Sequence, residues 1–196
     1  METIIKMYVS LAPSIFSGIM NMIWCKAPVF LSLNKPIDSY KTLPDSRRIF
    51  GDNKTWKGFV GYIQWSCLFT VLWGAVCSTS SFLTSHNYLY VNYENRFFYN
   101  IAIGASLGLA YSLFELPNSF LKRRLGIDPG LSTKGSTRVF FVFLDQADSI
   151  IGCVLVLSFV YKMSAGLYLL YVMVGSITHI LINIMLYFFK MRRNMF

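Results

Sequence analysis

Five long apolar segments constrain this chain more than any other feature. They run roughly over residues 4–24, 58–79, 97–115, 139–161 and 165–189. Each is about 19–25 residues, enough for a helix to cross a hydrocarbon layer of about 30 Å. A bilayer interior offers backbone groups no water, so the segments read as helices. The expected fold is an all-α integral membrane protein with five transmembrane helices, and residues 1–196 read as a single membrane domain. Composition agrees: 14% of the 196 residues are charged, against roughly a quarter in soluble domains. The first segment contains Pro13, Ser14 and Asn21 and is followed by no A-x-A cleavage pattern. It reads as a retained span rather than a signal peptide.

Loop charge orients these spans. Segment 25–57 carries seven Lys or Arg residues, segment 116–138 carries five, and the tail adds Lys190, Arg192 and Arg193. The opposite side has Lys6, Arg96 and Lys162. The positive-inside rule then puts the N-terminus outside, the C-terminus in the cytoplasm, and 25–57 and 116–138 inside as two long cytoplasmic loops. The expected location is the plasma (inner) membrane, with the active site facing the cytoplasm. The net charge of +9 follows from this asymmetry, so no nucleic acid partner is expected. Both loops exceed the roughly 2–8 residues of ordinary helix–helix connections, which places the function on their side. Residues 80–96, with Tyr88, Tyr90 and Tyr93, read as an interfacial cap on the other. The four cysteines have no metal-ligand spacing and read as packing residues. No role is assigned to His86 or His179.

The fourth span carries Asp145 and Asp148. Each carboxylate near a helix centre costs roughly 2.5–3.5 kcal/mol on insertion scales, so something must offset them. Three residues apart, they share a helix face with Ser149 and Gly152. That stripe must face the protein interior or a wet cavity. Two carboxylates without a local cation repel, and a divalent ion resolves this; Mg²⁺ accepts one or two carboxylates together with substrate phosphates. A proton-binding transporter pair, and a structural pair joined by loop Lys or Arg, remain open at this point.

Two further stretches flank spans on the basic side. In 50-FGDNKTWKGF-59, Asp52, Asn53, Lys54, Thr55 and Lys57 precede the second span. They could hold phosphate at a helix N-terminus or simply start a helix with snorkelling lysines. In 115-ELPNSFLKRRLGIDPG-130, Pro117 is expected to break the helix, with Asn118 or Ser119 capping a short amphipathic surface helix. Lys122, Arg123 and Arg124 then hold anionic lipid non-specifically, or Lys122 and Arg123 grip substrate phosphates opposite the metal. Glu115 is left without a role.

The order F-G-D-N-K-T-W-K-G-F, E-L-P-N-S-F-x-K-R-R-L-G-I, then D-Q-A-D-S-x-x-G resembles the archaeal CDP-archaeol synthases and their bacterial relatives. More distantly, Ser119 to Arg123 and Asp145 to Asp148 resemble the signature of CDP-diacylglycerol synthases. Upstream, 34-NKPID-38 is similar to the family's N-P-I-D, with Lys35 inserted, while 128-DPGLSTKGS-136 departs from the distant relatives. The likeness covers roughly 34–152. It implies a membrane cytidylyltransferase: CTP and a lipid phosphate give a CDP-activated lipid and pyrophosphate. On that reading Asp145 and Asp148 bind Mg²⁺ and, with Lys122 and Arg123, are catalytic. Asp52, Asn53, Lys54, Lys57, Asn118 and Ser119 bind substrate. The partners are CTP, a membrane lipid phosphate and the bilayer, with a homodimer left open. The alternative is a small cation- or proton-coupled transporter using the Asp pair.

Overall fold

The computed structural model describes residues 1–129 and 137–190, with side chains omitted at 137 and 138. Expectations resting on residues 130–136, on the Arg138 side chain and on Arg192 and Arg193 lie outside the described residues. The helices are α1 (Glu2–Lys26), α2 (Trp56–Ser78), α3 (Ser81–Ser85), α4 (Phe97–Arg124), α5 (Thr137–Val160) and α6 (Ala165–Phe188). Among the described residues, five of them are long and apolar enough to cross a membrane: α1, α2, α4, α5 and α6. The protein is therefore an all-helical integral membrane protein with five candidate spans.

These five helices pack as a row. α1 lies on α2, α2 on α4, α4 on α5 and α5 on α6. Small residues permit the close contacts in the middle. A Cβ on Gly104 or Gly108 of α4 would sit 2.6 Å from the Cys67 or Ile63 backbone of α2, the small-xxx-small pattern of membrane helix pairs. A Cβ on Gly152 of α5 would sit 2.6 Å from the Ala110 carbonyl of α4. Met7, Leu11, Leu107, Val154, Leu157 and Tyr171 contribute to the buried apolar core between the helices.

Proline does not break α1. Pro13 has no N–H to give the Val9 carbonyl one turn earlier, and the Trp73 indole of α2 donates to that oxygen at 2.8 Å. Nor does Pro117 break α4, which corrects the expectation of a break followed by a separate surface helix. α4 continues through it to Arg124, nine residues beyond the expected end of that span. Proline inside a helix costs about 3 kcal/mol. Beyond Pro117, Asn118 and Lys122 bond α5, and Arg124 bonds the 27–55 segment. These contacts hold the helix together past the proline.

Residues 80–96 fold against the helix ends. Tyr88 stacks on Tyr161 with ring centroids 4.0 Å apart, and its amide donates to Ser10 Oγ at 2.8 Å. Asn92 donates to the Val160 carbonyl at 2.9 Å. At the opposite end, 27–55 folds around Asp38. That carboxylate is buried and accepts from the Arg48 guanidinium and, at 3.0 Å each, from the amides of Phe50 and Gly51. Burial alone would raise the Asp38 carboxyl, but these bonds bring it down to about 2. Arg124 clasps the fold to α4 through Asp45 at 2.6 Å.

Candidate active site

Two polar stripes face each other. On α4, residues 115, 118, 119 and 122 fall at i, i+3, i+4 and i+7, which is one helix face. On α5, residues 145, 148, 149 and 152 do the same. The close approach at Gly152 brings the stripes within hydrogen-bond reach.

Asn118 Nδ2 donates to Asp145 Oδ1 at 2.7 Å and to Asp148 Oδ2 at 2.8 Å. The two carboxylates thus converge on one donor. Lys122 forms an ion pair with Asp145. Asp148 is 7% exposed, and its second oxygen accepts from the Ser149 amide at 2.6 Å. The Asn118 carbonyl oxygen is buried and has no hydrogen-bond partner among the described residues.

Arg123, the next residue along α4, is also buried. Its Nε and Nη1 have no hydrogen-bond partner among the described residues. A guanidinium in that condition is costly unless an anion completes it.

Lys54 arrives from the loop. Residues 35–37 pair with 54–56: Ile37 N donates to Lys54 O at 2.8 Å, and Trp56 N to Lys35 O at 3.0 Å. Thr55 caps α2 by accepting from Gly58 N at 3.2 Å. This geometry aims Lys54 at the bundle, where it forms an ion pair with Glu115. Burial would depress the Lys54 ammonium. The Glu115 carboxylate against it, with Asp148 and Asp145 behind, holds it above its ordinary value.

These groups line one end of a cavity of about 860 Å³. Asn53, Lys54, Asn118, Ser119, Lys122 and Arg123 reach it, as do Asp145 and Asp148. Two residues expected here do not. Asp52 is exposed and pairs with Arg48 at 2.7 Å. Lys57 is 1% exposed; it donates to the Ala27 carbonyl at 2.7 Å and lies over the Trp24 ring. It satisfies the C-terminal end of α1 instead of snorkelling to headgroups.

Several lining groups were not assigned from the sequence. Glu115 is the partner of Lys54. Gln146, His179 and Asn183 also line the cavity, and Asn183 donates to Gln146. Polar side chains inside apolar spans are the signal that could have found them. Tyr62 and Tyr111 stack beside them with centroids 3.7 Å apart.

The donor set suits a hard divalent cation. Asp145 and Asp148 offer carboxylate oxygens around one point, and the unpartnered Asn118 oxygen lies beside them. Among the described residues no group of three or more His, Cys, Asp or Glu side chains forms a ready metal cage. Two carboxylates are what Mg²⁺ takes when substrate phosphates and water supply the rest.

Comparison with known proteins supplies a lineage. The family model described as CarS-like, CDP-archaeol synthase, matches residues 11–196. A CDP-archaeol synthase of Pyrococcus furiosus is 29% identical over 190 residues, covering 97% of this chain and 96% of that protein. One from Pyrococcus abyssi is 32% identical over 167 residues, covering 84% of this chain and 85% of its own length. A solved structure described as "Structural insight into an intramembrane enzyme for archaeal membrane lipids biosynthesis" superposes with a TM-score of 0.59. It is 22% identical and covers 90% of this chain and 92% of that one, a likeness that bears on the fold.

Proposed function

The chain belongs to the CDP-archaeol synthase family, and on that premise we propose that it transfers the cytidylyl group of CTP to a membrane lipid phosphate, releasing pyrophosphate. Membership decides against the cation-coupled transporter. The observation that carries the chemical reading is the polar end of the cavity: two carboxylates converging on Asn118, with Lys122, Arg123 and Lys54 around them.

A lipid phosphate oxygen attacks the α-phosphorus of CTP in line. The bond to pyrophosphate breaks as the new phosphoanhydride forms. The attacking group is already an anion near neutral pH, so no general base is required. What the protein must supply is alignment and charge neutralisation. Arg123 offers two unpaired donors to phosphate oxygens. Lys122 and Lys54 exchange carboxylate partners for phosphate. Asn118 holds the two Asp side chains in register, and Ser119 and Asn53 add neutral hydrogen-bonding groups at the wall. Asp145 and Asp148 would hold Mg²⁺, whose charge would offset that of the triphosphate. Asp52 and Lys57 act from outside, by ordering the loop and the end of α1.

Orientation is part of the same proposal. The ends of α1, α4 and α6 and the start of α2 meet on the basic side, and CTP is a cytosolic polyanion. The site then opens to the cytoplasm, with the N-terminus outside. The product that names the family makes an ether-linked isoprenoid lipid phosphate the first acceptor to test.

Purified protein is incubated with Mg²⁺, a panel of ether- and ester-linked lipid phosphates, and α-labelled CTP, ATP, GTP or UTP. Label from CTP alone is expected in the organic phase, dependent on acceptor. Absence of transfer across the panel would overturn the reading.

A further inference from the structure

The cavity is not confined to its charged end. It continues along α1 past Ile19, Ile15, Leu11 and Met7, with Thr178 and Ile182 of α6 on its other wall. From Lys26 to Met7 that is about 28 Å of helical rise, close to the roughly 30 Å of a hydrocarbon core.

α1 and α6 are the two ends of the helix row, and they scarcely touch each other. Among the described residues, hydrogen bonds that join them include Tyr8 to Thr178 through their hydroxyls and Tyr171 to the Thr3 carbonyl, each at 2.8 Å. These two engage the N-terminal third of α1. The neutral amides of Asn21, Gln146 and Asn183 line the same cavity beside the charged groups. Charged and amide groups at one end, with an apolar arm leading away along α1, match a phosphate headgroup with its polar linkage and a hydrocarbon chain.

We propose that the seam between α1 and α6 is the slot for a hydrocarbon chain of the lipid phosphate, and its lateral door from the bilayer, with the Tyr8–Thr178 hydroxyl pair as the bar across it. The inference rests on the cytidylyl-transfer reading for the identity of the headgroup. The occupant is an amphiphile because the arm joins the phosphate-binding end without interruption; a water-soluble acceptor would leave that wall unfilled. The arm runs deeper than one leaflet, about 15 Å, so it favours a long chain.

Two experiments test this. In the first, the protein in nanodiscs is irradiated with a lipid phosphate carrying a diazirine at the chain end, and adducts are mapped by mass spectrometry. Labelling of Met7, Leu11, Ile15 or Ile182, suppressed by unlabelled lipid phosphate, is expected. Adducts confined to outward residues such as Phe159, Leu169 and Leu181, or insensitive to competitor, would overturn the slot. In the second, Ile15→Trp and Ile182→Trp fill the seam, while Leu181→Trp alters an outer face. The seam variants should lose about tenfold or more in kcat/KM with a long-chain acceptor and far less with a short-chain one, CTP binding being unchanged. Leu181→Trp should change neither. Equal losses for both chain lengths, or none, would contradict the proposal. Seam labelling without turnover of any acceptor would keep the slot and overturn the transferase reading instead.

Discussion

A single amide nitrogen, Asn118 Nδ2, bonds both Asp145 and Asp148, at 2.7 and 2.8 Å. That one donor sets the spacing of the two carboxylates before any substrate is present. It also explains why α4 must continue past Pro117: a helix ending there would leave Asn118 without a fixed position.

Asn118→Leu keeps comparable bulk and removes the bridge. Supporting groups of this kind typically contribute about 10–100-fold to metal affinity or activity. The variant should lose activity in that range and need more Mg²⁺ for half-maximal rate. Initial rates across a Mg²⁺ titration measure this, and an unchanged midpoint would count against the bridging role.

Arg123→Lys preserves charge but not the planar fork. Arg123 is buried with Nε and Nη1 unpartnered among the described residues, and an ammonium cannot reproduce that paired geometry. Loss of a phosphate donor in a dry site costs on the order of 10²–10³ in kcat. Steady-state kinetics in CTP should show the drop, with melting curves confirming that the variant is folded.

Lys57 separates stability from catalysis. Its ammonium serves the Ala27 carbonyl and the Trp24 ring. Lys57→Met should cost about 1.5–3 kcal/mol of stability, the scale of a charged hydrogen bond, seen as a lower melting temperature in detergent. KM for CTP should stay near that of the parent. A raised KM without destabilisation would return Lys57 to the substrate site.

Asp38 gives the loop a defined acid sensitivity. Its carboxyl is depressed from 3.8 to about 2, so its contribution is full above pH 4 and is lost as pH falls from about 4 through 2. The shift corresponds to roughly 2 kcal/mol. Asp38→Asn should therefore melt earlier at neutral pH, and the gap to the parent should close below about pH 4. Melting curves at several pH values check both.

The five spans were legible because hydrocarbon thickness and helical rise together dictate segment length. The Asp pair was legible because carboxylates inside an apolar helix demand a reason. The partnership of Asn118 with that pair was not. A proline one residue earlier suggested a helix end, and tertiary bonds from α5 and the loop outweighed that local preference. Lys57 misled for a related reason: a lysine at a helix start is equally consistent with a headgroup, a phosphate or a neighbouring carbonyl, and the chain path decides which. Asp38 lies in a stretch without periodicity, so its role as the centre of the loop emerged only from the fold. Glu115 and Asn183 carried the right signal, polarity within an apolar span, but no indication of their partners.

The central claim is that Asp145 and Asp148 serve Mg²⁺-dependent transfer from CTP to lipid. The direct measurement is incorporation of α-labelled CTP into the organic phase by the parent and by Asp148→Asn, each with Mg²⁺ and with chelator, alongside melting curves. The parent should convert only with Mg²⁺, and Asp148→Asn should be folded yet inactive in both conditions. Conversion by the parent in chelator, or undiminished conversion by folded Asp148→Asn, would contradict the account.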